Sequence, residues 1–346
     1  MFARPQTAPW WRPDQFARRK AFLDIRQRVL RATRIYFEAQ GFDEVETPAL
    51  QISPGNETHL HAFSTDFVNP FTKELFTYRL HTSPEFSMKK LLVAGASKIF
   101  QLSHVFRNGE RSSRHHPEFS MLEWYRTGVR LDAIKQDCVN LVRAAATASN
   151  IKTFAAQGMT CDPFLDWESL SVPEAFHRYA GIDLMATVGD VAALRAQTLR
   201  AGFRATEEDN WEDLFFRVMG EKIEPLLGKD HPTFLCDYPI SMAALARPKR
   251  DDPRLAERFE LYICGYELSN AFDELTNPEE QARRFAADMD LKEALYGERY
   301  PIDQDFIAAL HHGMPESSGI ALGFDRLVML CAGTENIEDV LWAPVA

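Results

Sequence analysis

The sequence predicts an α+β fold, in which an antiparallel sheet of six to seven strands is flanked by helices, with a helical insertion at about residues 130–228. Several strand-like runs follow one another, with helices inserted between some of them, and do not alternate with helices in strict β–α–β order. This arrangement favours an antiparallel sheet. The 346 residues are 45% hydrophobic and 12% aromatic, enough for a sizeable core. The phosphate-binding patterns G-x-x-x-x-G-K-[ST] and G-x-G-x-x-G are missing, so any ATP would be held by another device.

Hydrophobic periodicity and turn residues set the predicted elements. Asp14 and Gly41 bound the first helix, Pro48 stops the strand after it, and Gly95 closes the next helix. Helices are predicted at 14–40, 83–95, 131–149, 167–180, 189–202, 210–227 and 278–295. Strands are predicted at 42–47, 98–107, 117–126, 232–239 and 258–272, with hairpin pieces in 56–80 and a strand entering a helix at 317–333. Residues 1–13 are predicted to be an extended arm, and 14–346 a single catalytic domain.

Charge and cysteine content narrow the functional classes. A formal net charge of −11 disfavours an extended nucleic-acid interface, although a few placed arginines can still bind ATP. The five cysteines form no C-x-x-C pair, which favours reduced thiols over disulfides or zinc. The first residues lack the apolar core of a signal peptide and no run of 18 apolar residues occurs, so we expect a cytoplasmic protein.

Two arginines are candidates for phosphate binding. Arg107 ends an apolar strand before a long polar loop, and Arg326 follows two glycines at a strand-to-helix junction. A guanidinium group is always charged and can hold phosphate oxygens bidentately. The alternative for each is an ordinary surface or salt-bridge residue.

Three glutamates are candidates for cation binding. A two-residue turn at Cys264-Gly265 would pair Glu260 with Ser269, so that Glu260 and Glu267 share a face of the sheet as diagonal neighbours. Two carboxylates that close repel each other unless a cation lies between them, and beside phosphates that cation would be Mg²⁺. A salt bridge or solvent exposure is the alternative. Glu274 has the opposite parity and needs a bulge or a strand end to join the site.

A fourth carboxylate, Glu85, begins a predicted helix. Ser83 suits its N-cap and Pro84 its first turn. Glu85 either complements the helix dipole or lines a pocket for a cationic substrate.

These segments together resemble the three motifs of class II aminoacyl-tRNA synthetases. GFDEVETPAL (41–50) is similar to motif 1, VFRNGERSSRHHPEF (105–119) to motif 2 and GIALGFDRL (319–327) to motif 3. TSPEF, HHPEFSMLEWYR and ERFELYICGYELSNAFDEL are similar to the lysyl-tRNA synthetase core. The resemblance covers about residues 14–342 and implies a class II catalytic core that uses ATP and Mg²⁺ and dimerises through motif 1.

The resemblance also implies residue roles. Arg107 would bind the α-phosphate, Phe119 and Arg326 would enclose adenine, and both arginines would be catalytic. The implied ATP site comprises Arg107, Asn108, Gly109, His116, Phe119, Glu267, Leu268, Gly323 and Arg326. The implied amino-acid pocket comprises Ser83, Pro84, Glu85, Tyr125, Asn270 and Glu274, and the implied metal ligands are Glu260 and Glu267.

The sequence departs from the family in two places. Motif 2 usually reads R-x-E, but Gly109 occupies the glutamate position and Glu110 follows, so either the loop shifts by one residue or backbone groups read adenine. Only 40 residues precede Gly41, and about 20 follow motif 3, so we expect no anticodon-binding domain and no full tRNA recognition. This pattern is similar to truncated lysyl-tRNA synthetase paralogues, which use ATP to attach (R)-β-lysine to a lysine side chain of translation elongation factor P.

Three functions remain open at this point. The first is activation of (R)-β-lysine or lysine and its transfer to elongation factor P. The second is adenylate formation with a tRNA acceptor stem or a small molecule as the acceptor. The third is a non-catalytic nucleotide-binding regulator. The presence of Arg107, Arg326, Glu260 and Glu267 argues against it.

Overall fold

The computed structural model describes residues 9–345, so most of the predicted arm lies outside the described residues. The strands are β1 (Asp43–Glu44), β2 (Leu50–Gln51), β3 (Ser64–Val68), β4 (Leu75–Leu80), β5 (Lys98–Phe106), β6 (Glu118–Thr127), β7 (Phe154–Ala156), β8 (Met159–Cys161), β9 (Glu168–Ser171), β10 (Thr233–Pro239), β11 (Leu255–Ile263), β12 (Tyr266–Asp273) and β13 (Ser317–Gly323). The α-helices are α1 (Pro13–Ala39), α2 (Glu85–Val93), α3 (Leu131–Ser149), α4 (Val172–Ala175), α5 (Val191–Arg200), α6 (Trp211–Val218), α7 (Pro278–Tyr296), α8 (Gln304–Gly313), α9 (Phe324–Ala332) and α10 (Ile337–Val340).

A central sheet with the order β1-β5-β6-β13-β12-β11-β10-β9 confirms the predicted α+β class. The predicted strand number was too low, because the sheet has eight strands. The inner strands are antiparallel, whereas β1 and β9 add to the two edges in parallel. Helices on both sides bury the apolar faces of the sheet, and the main core joins α1, α3 and α9 to it.

The segment between α3 and β10 mixes helices with short strands. The predicted helix at 131–149 is confirmed, but the prediction at 167–180 is wrong at its start, where β9 pairs with β10. Ser171 then begins α4 through a reciprocal hydrogen-bonded cap with Glu174, and that cap ends the strand. The helix predicted at 210–227 ends at Val218 and continues as one π-helical and one 3-10 turn.

Two hairpins carry most of the predicted site. In the first, β5 and β6 pair up to Phe106 and Glu118 and leave the polar loop 107–117 at the tip. In the second, β11 and β12 turn at Cys264-Gly265, where φ is +50° and +71°. Positive φ at both central residues matches the twist of a tight hairpin.

The predicted register of the second hairpin was wrong by one residue beyond the turn. Ser269 pairs with Leu261, so Glu260 lies opposite Asn270. The shift arises from a β-bulge, because Leu268 is an extra residue between the two pairs on either side of it.

Asp325, in the first turn of α9, ties three elements together beside the predicted ATP site. Its carboxylate accepts a 2.7 Å hydrogen bond from the backbone N–H of Ser120 on β6 and forms a buried ion pair with Arg26 of α1. Arg26 also donates to the Ser120 hydroxyl at 2.7 Å. The junction of β13 and α9 is therefore fixed to both neighbours.

Two further predictions concern the cysteines and possible membrane spans. All five cysteines are free thiols, as predicted. Across residues 9–345, none of the helices combines the length and apolar character needed to cross a lipid bilayer.

Candidate active site

One cavity of about 480 Å³ brings together residues from both hairpins, α2, α7 and the β13–α9 junction. Ten of the predicted site residues line it: Ser83, Glu85, Arg107, His116, Phe119, Glu267, Leu268, Asn270, Gly323 and Arg326. Six do not line it: Pro84, Asn108, Gly109, Tyr125, Glu260 and Glu274. Three of these six, Tyr125, Glu260 and Glu274, form buried contacts around the cavity wall, described below.

Arg107 lies at the start of the polar loop, where its backbone N–H donates to the carbonyl of Pro117 at 3.0 Å. Its guanidinium carbon is 5.3 Å from the centre of the Phe119 ring, a cation–π contact that orients the group. The buried Nε atom has no hydrogen-bond partner among the described residues, and the nearest carboxylate, that of Glu110, is 3.8 Å away. A buried guanidinium donor without a partner fits an anionic ligand such as phosphate.

Arg326 is held from two sides in the first turn of α9. It donates to the carbonyl oxygen of Glu267 at 2.8 Å and to Nε2 of His115 at 2.8 Å. Burial, followed by the charge of Arg326, lowers the pKa of His115, so this ring is neutral and can accept the hydrogen bond. The arginine face is thereby presented to the cavity in a fixed orientation.

His116 has a structural environment that the sequence did not predict. It is buried, its Nδ1–H donates to the carbonyl of Glu118 at 2.5 Å, and its Nε2 accepts from the backbone N–H of Val345 at 3.2 Å. Both ring nitrogens are therefore used within the protein, although the ring borders the cavity.

The motif 2 departure has a local explanation. Gly109 has φ of +82° and lies in open space, whereas the side chain of Glu110 lines the cavity. The backbone N–H of Asn108 donates to the carbonyl of His61 at 2.7 Å, which fixes the start of the loop. This geometry favours a loop shifted by one residue, with Glu110 in the place of the usual glutamate.

Glu260 and Glu267 are the two predicted metal ligands. Glu260 is buried and accepts hydrogen bonds from Tyr238 at 2.5 Å and Tyr262 at 2.7 Å, and it pairs with Arg258 at 2.5 Å. Glu267 is open to the cavity, yet the surrounding protein, followed by the charge of Glu260, raises its pKa to about 7. A raised carboxylate pKa means that the ionised form lacks a compensating cation.

These two carboxylates therefore fit a cation, but they do not form a complete metal cage. In the described part of the chain no set of three or more histidine, cysteine or acidic side chains is placed to hold a metal. Mg²⁺ usually takes one or two carboxylates together with phosphate oxygens and water. Glu267 is the carboxylate open to a cation, whereas Glu260 already forms a salt bridge with Arg258, the alternative that the sequence left open.

Behind the predicted amino-acid end of the cavity lies a buried cation that the sequence analysis missed. Lys89 is 1% exposed and forms ion pairs with both Glu85 and Glu274, the latter at 2.6 Å. These two charges raise the pKa of Lys89 against the opposing effect of burial. Glu274 follows the last residue of β12, and the bulge at Leu268 gives it the same parity as Asn270, which lies opposite Glu260, so the expected bulge is present.

A further buried carboxylate, Glu123 of β6, completes this group. It accepts hydrogen bonds from Ser83 at 2.6 Å and from the Tyr125 hydroxyl at 3.0 Å. Burial and the nearby Glu85 raise the pKa of Glu123 to about 8. Burial also raises the pKa of Glu274 to about 8 despite Lys89. One lysine therefore does not neutralise the group, which favours a ligand with additional positive charge.

Gly319 makes this arrangement sterically possible. A Cβ atom at this position of β13 would lie 2.2 Å from the Tyr125 ring and 2.5 Å from Oε1 of Glu274. The glycine of the predicted motif 3 therefore serves the amino-acid pocket, in addition to the expected role of Gly323 at the ATP site.

Sequence reasoning missed several cavity residues, and some of them carried a signal. Glu123 is a charged residue in an otherwise apolar strand, two positions before Tyr125 and therefore on the same face. Lys89 follows Glu85 by four residues on a helix, the spacing of an ion pair. Glu57 and Asp288 gave no local signal, because they meet only in the folded chain.

Glu123→Gln should make the stability of the ligand-free protein less dependent on pH. The raised pKa means that unfolding releases a proton above pH 4.5, so stability falls with rising pH until about pH 8. Removing this group should reduce that slope by up to about 1.4 kcal/mol per pH unit. Urea unfolding between pH 5 and 8 measures it, with the exposed Glu208→Gln as a control. Equal slopes for Glu123→Gln and the unmodified chain would contradict the assignment.

Comparisons with known proteins agree with this geometry. Residues 15–345 match the family described as class II tRNA synthetases (D, K and N). The chain is 40% identical over 316 residues to an elongation factor P–(R)-β-lysine ligase of Haemophilus ducreyi, covering 91% of each chain. It is 39% identical over 333 residues to the enzyme of that name from Pectobacterium atrosepticum, covering 96% of each. For the Yersinia enterocolitica enzyme the identity is 38% over 323 residues, covering 92% of this chain and 94% of the relative.

The family match over residues 15–345 covers both hairpins, the Lys89 group and the β13–α9 junction. The mostly antiparallel sheet and the three sequence motifs are consistent with the same assignment. The chain belongs to the class II aminoacyl-tRNA synthetase family.

Proposed function

We propose that this chain is a ligase that activates (R)-β-lysine with ATP and transfers it to a lysine side chain of translation elongation factor P. The observation that carries the proposal is a single cavity lined by Arg107, Arg326 and Glu85, with the incompletely neutralised Glu123 and Glu274 buried beside Glu85. The curated relatives that carry this activity in their names align with 91% or more of the chain. Cytoplasm is the proposed location, because a translation factor is the acceptor.

The first half-reaction requires little covalent chemistry from the protein. The carboxylate of the amino acid attacks the α-phosphorus of ATP in line, pyrophosphate leaves, and an aminoacyl-adenylate forms. Arg107, whose Nε lacks an internal partner, holds the phosphate oxygens on which charge develops. Arg326, fixed by Glu267 and His115, covers the adenine opposite Phe119. When bound beside the phosphates, Mg²⁺ neutralises their charge, with Glu267 as its available carboxylate.

The amino-acid specificity follows from charge. Glu85, Glu123 and Glu274 share one internal cation, Lys89, and two of the three have a pKa near 8. A diamino acid brings two ammonium groups to this region and allows the carboxylates to ionise. An acidic or amide side chain would leave the carboxylates uncompensated.

In the second half-reaction, the ε-amino group of the acceptor lysine attacks the carbonyl carbon of the adenylate. The bond between that carbon and the phosphate oxygen breaks, AMP leaves, and an amide forms. The protein acceptor must therefore reach the cavity through the wall that does not hold ATP.

The intact mass of purified elongation factor P tests the function. Incubation with the enzyme, ATP and (R)-β-lysine should add the mass of one lysyl residue, and α-lysine should serve less well. Glu85→Gln should raise the amino-acid KM by about 10- to 100-fold, because a charged hydrogen bond is lost, and change ATP affinity far less. The exposed Glu208→Gln is the control. An unmodified factor together with efficient tRNA charging would contradict the protein acceptor, and no ATP–pyrophosphate exchange would favour a non-catalytic regulator.

We also propose a homodimer formed through the motif 1 segment at residues 41–50. The class II resemblance supports it, and Leu50 and Ile52 expose apolar surface there, at 49% and 60%. Sedimentation of the purified chain at micromolar concentration should give the dimer mass, whereas a monomer would contradict this interface.

A further inference from the structure

We propose that Glu57 is the base that takes a proton from the ε-ammonium group of the acceptor during transfer. This inference rests on the proposed function and concerns only its second half-reaction. Most of an unperturbed lysine side chain is protonated at pH 7, so an amine nucleophile requires a group that removes the proton.

Glu57 lies in a part of the cavity that the ATP and amino-acid residues do not occupy. This part, which we call the entry wall, is formed by Glu57, Thr58, Glu212, Phe216 and Asp288. Thr58 contacts Asp288 with its hydroxyl group, 3.3 Å from the carbonyl oxygen and 3.4 Å from the carboxylate. The entry wall is continuous with the activation site because both line the same cavity.

Glu57 lines the same cavity as Glu85 and Arg107, and the charges of both act on it. Its pKa is raised by burial and then by Glu85, and lowered by Arg107 and, more weakly, by Lys292. Glu85 belongs to the amino-acid end and Arg107 to the phosphate end, so the carboxylate is within electrostatic reach of both. The bond that breaks in the transfer step joins these two ends.

Glu57 also lacks an internal cation. None of the ion pairs formed within residues 9–345 includes it, in contrast to Glu85 and Glu274, which share Lys89. Glu57 is half-buried in the cavity lining, and a partly desolvated carboxylate with no paired cation fits a cationic ligand. ATP and its phosphates cannot supply that charge, but the ammonium group of an incoming lysine can.

The position of Glu57 is fixed by its neighbours. A Cβ atom on Gly55, where φ is +136°, would lie 2.6 Å from a carboxylate oxygen of Glu57, so the carboxylate packs directly on this main chain. Buried Lys292 of α7 donates to the carbonyls of Thr58 at 3.0 Å and Leu60 at 2.6 Å. The base is therefore positioned before the acceptor arrives, as general-base catalysis requires.

Two further carboxylates favour entry of a cation. Burial, followed by the charge of Glu57, raises the pKa of Asp288 to about 7, and Glu212 adds to this effect while Arg284 opposes it. Burial also raises the pKa of Glu212. The entry wall therefore carries negative potential that an ammonium group would relieve.

The transfer step balances as follows. One proton moves from the ε-ammonium group to the Glu57 carboxylate, and the freed nitrogen lone pair forms a bond to the carbonyl carbon. The second proton on that nitrogen goes to the departing phosphate oxygen of AMP as the carbon–oxygen bond breaks. Both protons then pass to solvent, and no oxidant, reductant or further reactant is needed.

Glu57→Gln tests the proposal through single-turnover transfer from the preformed adenylate. We expect transfer to elongation factor P at pH 7 to slow by about 100-fold or more, the usual contribution of a general base. Capture of the same adenylate by hydroxylamine, a nucleophile that is neutral at pH 7, should slow by less than about tenfold. Transfer by the variant should then rise about tenfold per pH unit from 7 to 9 as free amine accumulates, whereas the unmodified enzyme should be nearly flat. Glu208→Gln, exposed and outside the cavity, is the matched control.

Three outcomes would overturn the proposal: unchanged transfer, equal losses with hydroxylamine and the protein acceptor, or a slow variant with a flat pH profile. The last would indicate a structural role. If the unmodified enzyme forms adenylate but never modifies elongation factor P, the proposed acceptor fails. The comparison is then made with n-butylamine, a small cationic amine. Glu57→Gln should again slow capture of the adenylate by n-butylamine far more than capture by hydroxylamine. Equal slowing of the two reactions would contradict the role of Glu57.

Discussion

The buried ion pairs of Lys89 organise the amino-acid end of this protein. A fully buried ammonium group is stable only with compensating charge, and Glu85 and Glu274 provide it from α2 and from the end of β12. This constraint fixes where α2 meets the end of β12. The single charge of Lys89 does not fully compensate the negative charge that Glu123 and Glu274 would carry when ionised. The same ion pairs that stabilise the ligand-free fold thus generate the need for a cationic substrate.

The phosphate end is built on a different principle. Arg326 is held by one backbone carbonyl and one histidine, whereas the buried Nε of Arg107 has no partner among the described residues. The first arrangement suits stacking on a ring, and the second suits oxygen atoms of changing charge. Asp325, the residue before Arg326, is bonded to α1 and β6 and so fixes the start of α9 beside the cavity.

The fold class and the main hairpins could be predicted from the sequence, because they depend on periodicity and turns. Most of the residues that the motif resemblance implied for ATP line the cavity. The register of Glu260 was wrong because a bulge at Leu268 leaves no clear local signature. The resemblance implied that His116 belongs to the ATP site, and nothing in the local sequence indicated its contact with Val345, which is 229 residues away. Glu57 was not predicted for the same reason, since its neighbours come from distant segments.

Proton release on binding of a stable sulfamoyl analogue of the aminoacyl-adenylate tests the central claim most directly. Calorimetric titration at pH 7.5 in buffers of different ionisation enthalpy counts the protons. The lysyl analogue should release about one proton more than the norleucyl analogue, because the side-chain ammonium group ionises carboxylates whose pKa lies near 8. Equal proton release by the two analogues would show that the buried carboxylates do not recognise the substrate cation.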